Sequence, residues 1–343
     1  METIIFRNCI KKDNRLIFFS AREAIPVSLD LKSKETLIMK IKNKELYRNN
    51  AFDLITESDG KIYALEIFGK YMCEYSLDLQ EVTYVQIDCN KKNDGNFALL
   101  AIENRQVFIF DRTVGLTIYD TVSKSICKVS YPQNQYEVIT GCKYENKYYL
   151  IPKEGNKVYQ FDISTGKWDT VFLKDKWHNA IHAIVDNGNI YILLEDGTII
   201  KWNVKEEVKF IDTIKEWYKS LSCVARICST NDSFVILPSL GEDILILDKE
   251  KYEVKVMQGY PKDFKYVNNN WSKYYGYCET EDSYIFACRK SDYILKITKS
   301  NTNFEWIKSE IESEKMIQYR IMNNMIIQEK SGYLRYLLSG DFC

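Results

Sequence analysis

The chain has only two histidines among its 343 residues, His178 and His182, and it lacks the short motifs that most often mark catalytic chemistry. It contains no Gly-x-Gly-x-x-Gly, no Walker-type phosphate loop, no Gly-x-Ser-x-Gly and no His-Glu-x-x-His. The sequence therefore gives no motif-based support for a phosphate-binding loop or for serine-hydrolase chemistry.

The chain also has no large excess of charge of either sign and no long apolar run. The 47 Lys and Arg are balanced by 48 Asp and Glu, whereas a protein that binds duplex nucleic acid usually carries a basic excess on one face. We therefore expect no duplex partner, and the same neutrality weakens the hypothesis of single-stranded nucleic acid stacked on aromatic rings. No run approaches the roughly 18 apolar residues of a spanning helix, and Met1–Asp13 does not resemble a signal peptide. We expect no membrane association.

The ten cysteines include no Cys-x-x-Cys pair. In a chain without a secretory signal, they are most simply reduced thiols that pack as small apolar side chains in strands. We therefore expect the protein to be cytoplasmic.

What the sequence does contain is a recurring pair of short apolar strands, the second of which often ends in Asp or Asn. A good copy is Lys147–Pro152 followed by Val158–Trp168. Eight equivalent apolar positions recur at steps of about 40 to 50 residues, which predicts a repeat architecture. These positions are Leu16, Ile62, Val107, Tyr148, Ile190, Val235, Ile285 and Met325. Such regular steps leave little room for an inserted domain, so we expect residues 1–343 to form one domain.

Each unit has room for four strands. In the third unit the candidates are Phe97–Ile102, Gln106–Phe110, Leu116–Asp120 and Ile126–Ser130. Four-stranded antiparallel units repeated radially make a β-propeller, and we expect an all-β propeller of eight blades. Seven is the alternative if the terminal units merge. The last unit, which includes Asn324–Ile327 and Tyr333–Leu337, lacks a fourth strand, and Met1–Phe6 could supply it and close the ring.

One copy resembles the kelch-like family of propellers. The residues that carry this resemblance are Tyr159, Asp162, Thr165, Gly166 and Trp168. The chain departs from that family in lacking the paired glycines at the end of the second strand, where it has Ile151-Pro152, Leu193-Leu194 and Leu237-Pro238. The resemblance implies the propeller fold and places binding at one mouth of the central channel, where segments that enter the inner strands gather.

Those entering segments are rich in Tyr, Trp, Asn, Gln and Lys. Aromatic rings beside amide and cationic donors suit a peptide or protein partner, or else a glycan or small polar ligand. The long step that contains 252–275 predicts a projecting loop of the kind that often carries binding. Our candidate ligand-binding residues are Tyr47, Arg48, Tyr136, Trp177, His178, Trp217, Tyr218, Arg226, Trp271, Tyr274 and Tyr275. The alternative is that such aromatic rings fill the spaces between blades.

Two hypotheses about function follow. The preferred one is a non-enzymatic scaffold that recognises a peptide or protein partner on this aromatic-rich mouth. The alternative is an enzyme that acts on a saccharide or small polar metabolite in the central pocket, with Asp53, His178, His182 and Arg226 as participants. An enzyme needs titratable groups that converge on one cavity, whereas a scaffold can use a broad aromatic and amide surface.

We expect no metal and no cofactor. His178 and His182 could hold a metal only with a further ligand, such as Asp175, Cys223 or Cys228. The simpler interpretation puts His178 in a loop and packs His182 on an inner strand. The acids of Glu57-Ser-Asp59, Glu195-Asp196, Glu242-Asp243 and Glu279-Thr-Glu-Asp282 are interpreted as turn residues.

Overall fold

A computed structural model gives the fold for most of the chain. The described residues are 2–3, 6–20, 26–38, 52–66, 71–78, 81–87, 97–132, 137–204, 208–212, 214, 217, 224–239, 243–264, 274–288, 291, 293–308, 310–311 and 315. No helix in this part of the chain is long and apolar enough to cross a membrane.

The protein is all-β, and its described strands form seven antiparallel units of four strands each, which we call blades 1 to 7. In every blade the strands follow one another in sequence order. Blade 1 comprises Phe6–Lys12, Arg15–Ser20, Pro26–Asp30 and Thr36–Ile38; blade 2, Phe52–Ser58, Lys61–Glu66, Tyr71–Ser76 and Val82–Gln86; blade 3, Phe97–Glu103, Gln106–Asp111, Gly115–Asp120 and Ile126–Ser130.

The remaining blades repeat this order. Blade 4 comprises Val138–Tyr144, Lys147–Pro152, Gly155–Asp162 and Lys167–Trp177; blade 5, Ala180–Asp186, Asn189–Leu194, Ile199–Trp202 and Val208–Ile211; blade 6, Val224–Ser229, Ser233–Pro238, Leu245–Asp248 and Val254–Val256; blade 7, Tyr274–Glu279, Ser283–Cys288, Tyr293–Thr298 and Phe304–Lys308. The four strands predicted for the third unit are confirmed, and so is the all-β fold of four-stranded antiparallel blades.

The core is divided among the seams between blades. Each consecutive pair of blades shares one cluster of buried apolar side chains, and blades 7 and 1 share another, which includes Phe6, Phe18 and Ile285. The first strand of each blade is the inner one. The inner strands of blades 1 and 7 also form one parallel pair, with Asn8 opposite Tyr277.

The predicted count of eight blades is not confirmed. The eighth unit, Asn324–Leu337, lies outside the described residues. The N-terminal strand Glu2–Thr3 pairs with Glu310–Ile311, which follows the last strand of blade 7, in a separate two-stranded sheet. Closure of an eighth blade by this strand is likewise not confirmed.

The Asp that recurs at the end of the third strand has a structural reason. In blade 4, Oδ1 of Asp162 accepts hydrogen bonds from the N–H groups of Ser164 at 2.9 Å and Thr165 at 3.0 Å. Equivalent bonds are made by Asp30, Asp120 and Asp248. Because a carboxylate accepts local N–H bonds well, Asp closes the turn to the fourth strand. These bonds also lower the pKa of each of the four carboxyls.

In six of the described blades, the turn between the third and fourth strands is hydrogen-bonded to the turn after the inner strand. In blade 1 the N–H of Leu31 donates to the carbonyl of Asn14 at 2.7 Å, and the corresponding bond occurs in blades 2, 3, 4, 6 and 7. The inner strands therefore end on the face that carries both sets of hairpin turns, which we call the lower face. The upper face is the opposite one, where the inner strands begin.

Candidate functional site

Three side chains from different inner strands meet in the central channel. The ring of His182 in blade 5 lies edge-on to that of Tyr277 in blade 7, with centroids 5.7 Å apart. The guanidinium carbon of Arg226 in blade 6 lies 4.4 Å from the centre of the Tyr277 ring. Because blade 6 lies between blades 5 and 7, side chains from blades 5 and 7 can meet only on the inner side of blade 6. These groups therefore occupy the channel.

His182 is held neutral in this position. Burial, followed by the neighbouring charge of Arg226, lowers its pKa to about 3, although Nδ1 accepts a 3.4 Å hydrogen bond from the N–H of Ile227. An imidazole with this pKa is a weak proton acceptor at neutral pH. This agrees with the interpretation that His182 packs on an inner strand.

A cavity of about 650 Å³ opens beside this cluster, at the lower end of the channel. Its walls are the ends of the inner strands of blades 7, 1 and 2 and the turns that follow them. Asn8, Thr56, Thr280 and Tyr277 contribute amide, hydroxyl and aromatic groups to the lining. Five carboxylates and one ammonium group also line it: Asp13, Glu57, Glu279, Glu281, Asp282 and Lys11.

Three of these carboxylates have cationic partners. Asp282 pairs with Lys11 across the seam between blades 7 and 1, at 2.8 Å. Glu57 lies 3.8 Å from Nζ of Lys12, and Glu279 lies 2.8 Å from Nζ of Lys299. The hydrogen bonds from Lys11 are the largest cause of a pKa of Asp282 well below its ordinary value. This carboxylate therefore stays charged in mildly acidic solution.

The other two carboxylates, Asp13 and Glu281, make no ion pair within the described part of the chain. Asp13 lies in the turn after the inner strand of blade 1, where its φ of 51° is one that Asp tolerates. Glu281 is exposed in the equivalent turn of blade 7. Within the described part of the chain, these two carboxyl groups at the rim of the cavity have no cationic partner.

The upper face holds several of the residues that the sequence predicted for binding. Trp177 is 2% exposed and its Nε1–H donates to the carbonyl of Pro152 at 3.0 Å, while Tyr274 is 1% exposed. Both lie in clusters between blades, as the packing alternative proposes. Trp217 is half exposed, and the side chain of His178 is 78% exposed with Nδ1 3.6 Å from Oε2 of Glu154.

The structure does not bring all the predicted residues together. Arg226 contacts Tyr277 in the channel, His178 lies beside Glu154, and Asp53 lies in the inner strand of blade 2. Tyr275 lies in the inner strand of blade 7, and nothing is described of its side chain or that of Asp53. Tyr47, Arg48, Tyr136, Tyr218 and Trp271 lie outside the described residues. The binding role of all of them stays a prediction.

The residues that line the cavity are not among the binding residues predicted from the sequence. In sequence, Glu57 and the acids of Glu279-Thr-Glu-Asp282 have the pattern of turn residues. A usable signal was their position directly after inner strands, since the ends of those strands surround the channel. Among the described residues, no three His, Cys, Asp or Glu side chains are grouped so that they could hold a metal ion.

No protein-family model matches the chain, and no curated protein sequence matches it. Solved structures do match. PorZ of Porphyromonas gingivalis, a bacterial surface component of the type-IX secretion system, has 12% identity and a TM-score of 0.62 over 91% of this chain. The chain spans only 39% of the length of PorZ.

Two other similar structures match over most of both chains. YCF48, solved bound to the D1 peptide, has 12% identity and a TM-score of 0.62 over 86% of this chain and 93% of its own. BamB from Moraxella catarrhalis has 10% identity and a TM-score of 0.53 over 82% and 81%, respectively. At such identities the likeness establishes the β-propeller fold alone, and membership of the kelch family is not confirmed.

Proposed function

We propose that this protein is a non-enzymatic binding propeller that takes a peptide or protein partner at the lower mouth of its channel. The cavity of about 650 Å³ between blades 7, 1 and 2 is the observation that carries the proposal. Its volume falls within the range of roughly 300 to 1,000 Å³ that ligand pockets occupy. Its amide, hydroxyl and carboxylate groups suit the hydrogen-bonding groups of a peptide.

The charges of the cavity indicate what the bound segment carries. Among the described residues, Asp13 and Glu281 have no cationic partner, while Lys11 is already paired with Asp282. A Lys or Arg side chain of the partner would gain attraction from the carboxylates of Asp13 and Glu281. We therefore expect the bound segment to be cationic.

Two further observations favour binding over catalysis. The nearest imidazole, that of His182, has a pKa of about 3, and burial raises the pKa of the neighbouring Cys228 thiol. Neither group is prepared for proton transfer or nucleophilic attack at neutral pH. In addition, the structurally similar YCF48 was solved bound to a peptide.

The upper face remains a second candidate for the contact surface of the same partner. Trp217 and His178 are exposed there, and both belong to segments that the sequence predicted for binding. A cytoplasmic location for this interaction also stays a prediction.

The test is selection of peptides from a random displayed library on the full-length protein, followed by affinity measurement of the selected peptides by fluorescence anisotropy. Each peptide is titrated against wild type and against the double variant Asp13→Asn, Glu281→Gln. The matched control is Asp59→Asn, Glu145→Gln, which removes two charges from lower-face turns outside the cavity lining.

We expect Lys- or Arg-containing peptides whose affinity falls about tenfold or more in the cavity variant, the equivalent of about 1.4 kcal/mol, and is retained in the control. Selected peptides that bind both variants as well as wild type would overturn the lower-face site. If these peptides instead lose affinity in Trp217→Ala, the upper face is the binding surface. A library that yields no specific peptide would contradict the proposal as a whole.

A further inference from the structure

Two cysteines face each other across the seam between blades 7 and 1. Cys9 belongs to the inner strand of blade 1 and Cys278 to the inner strand of blade 7. Both are buried in the cluster that joins these blades, and both are free thiols in the structure. Their seam connects the first and the last of the seven described blades.

The inner strands of blades 1 and 7 lie close enough together here for a disulfide to join them. Gly276 has no room for a side chain, because a Cβ there would overlap the carbonyl oxygen and the ring of Phe6. Further along, Asn8 pairs with Tyr277 in parallel register. One more residue in that register places Cys9 opposite Cys278, on strands about 4.8 Å apart. A disulfide spans Cα atoms about 4.4 to 6.8 Å apart.

We propose that Cys9 and Cys278 are a dithiol site that oxidises to a disulfide and so joins blade 1 to blade 7 covalently. The two thiols lie within hydrogen-bonding reach of each other. Both residues also line the lower cavity, which is the side from which a small oxidant approaches them.

The oxidant is a small-molecule disulfide such as oxidised glutathione. One protein thiolate attacks a sulfur of the oxidant, which breaks its S–S bond, releases one glutathione thiolate and leaves a mixed disulfide. The second protein thiolate then attacks the cysteine sulfur of this mixed disulfide. The disulfide between the two cysteines forms, and the second glutathione leaves as its thiolate. Two electrons pass to the oxidant, and the protons of the two cysteines are taken up by the two glutathiones.

The rate of this exchange depends on pH. Burial, and then contact with Cys278, raises the pKa of Cys9 well above its ordinary value. Since the thiolate is the nucleophile, exchange is slow at neutral pH and accelerates as the pH rises. The product closes most of the chain into a loop, which restricts the unfolded ensemble and raises stability.

The test exposes the full-length reduced protein to oxidised glutathione at pH 8.5, blocks the remaining thiols and digests the protein without reduction. Mass spectrometry then looks for the bond between Asn8–Lys11 and Tyr274–Arg289. Cys288 lies in the same tryptic fragment as Cys278, so Cys288→Ala is the matched control for Cys278→Ala, and Cys142→Ala is the control for Cys9→Ala. Thermal melting of wild type is recorded before and after oxidation.

We expect the cross-linked fragment in wild type, Cys288→Ala and Cys142→Ala, and its loss in Cys9→Ala and in Cys278→Ala. The Tm of wild type should rise by about 5 °C or more on oxidation and return on reduction. Because the fragment is sought in wild type, poor folding of a variant does not decide the result. Oxidation confined to other cysteines, such as the exposed Cys127, or a cross-link that persists in Cys278→Ala, would overturn the proposal.

Discussion

Two seams between blades close at the upper face on buried aromatic side chains, whereas two seams are crossed at the lower face by short ion pairs. Trp177, between blades 4 and 5, and Tyr274, between blades 6 and 7, illustrate the first arrangement. Lys11–Asp282 at 2.8 Å and Lys249–Asp186 at 2.9 Å illustrate the second. These seams thus rely on apolar packing at one end of the blade and on paired charges at the other.

The seam between blades 7 and 1 shows the contrast within one interface. Near its upper end, Gly276 and Phe6 bring the two backbones into contact. Near its lower end, the cavity and its carboxylates lie beside the seam. Because apolar contacts are insensitive to salt while exposed ion pairs are screened by it, the two faces should respond differently to substitution, pH and ionic strength.

The largest effect is expected from Trp177→Ala at the upper face. This change removes a buried indole and its hydrogen bond to the carbonyl of Pro152, and it should lower the free energy of unfolding by about 3 to 5 kcal/mol. Trp217→Ala, at a half-exposed position, should change it by no more than about 0.5 kcal/mol. Urea unfolding measures both. Equal losses in the two variants would contradict the assignment of Trp177 to packing.

Gly276→Ala should be nearly as damaging. The added methyl group cannot be accommodated without displacing the backbone of Phe6, at a cost of about 3 kcal/mol. Gly60→Ala is the control, because that position has open space and strain only from its φ of +73°, which costs about 1 to 2 kcal/mol. Thermal and urea unfolding compare the two. If Gly276→Ala were the milder change, the close contact between blades 7 and 1 would be wrong.

At the lower face, Glu74→Gln tests the ion pairs. Glu74 is buried, accepts hydrogen bonds from Lys61, from Lys124 at 2.8 Å and from Tyr119 at 3.1 Å, and joins blades 2 and 3. Burial raises its pKa, but the bonds from Lys124 and Lys61 outweigh burial, so the net pKa is below 4.5. The substitution should cost about 1 to 3 kcal/mol at neutral pH.

The pH dependence of this cost has a definite sign. A carboxyl with a lowered pKa in the folded state stabilises fully above its unfolded pKa, and the contribution is lost as the pH falls through the folded pKa. The difference between wild type and Glu74→Gln should therefore shrink below about pH 4.5. Urea unfolding as a function of pH measures it, with Glu145→Gln as a surface control. A difference that stays constant down to pH 2 would refute the ionic origin.

The smallest effect is expected from Asp282→Asn. Its carboxylate is 57% exposed although it pairs with Lys11, and exposed pairs contribute less than about 1 kcal/mol. The small loss in the variant should disappear in about 1 M salt, where charges are screened beyond about 3 Å. Unfolding in low and high salt provides the measurement. A loss that persists in high salt would show that Asp282 acts by something other than its charge.

Much of the fold could be predicted from the sequence because each blade repeats a local signal. The strands of blade 3 and the Asp that ends the third strand in four blades follow from alternation and turn chemistry that nearby residues determine. Gly166, with φ of +66°, and Trp168, which packs on Phe161 and Tyr131, explain the local likeness to kelch repeats in the same way.

The candidate site could not be predicted in the same manner. Asp13, Glu57 and Glu281 look like ordinary turn acids in sequence, and only the ring places them around one cavity. Trp177 and Tyr274 belong to aromatic-rich segments, but their burial depends on the neighbouring blade. Contacts between residues far apart in the chain determine which polar groups converge, and local patterns do not encode them.

The central claim is that the lower mouth of the channel is where a partner binds. Hydrogen–deuterium exchange of the full-length protein, with and without a peptide selected on it, tests this claim most directly. We predict that the peptide slows exchange in segments 8–13, 55–57 and 277–282, which contain the residues that line the cavity. Protection confined to the upper face, around residues 174–179 and 212–217, with no change in the lower segments, would contradict it.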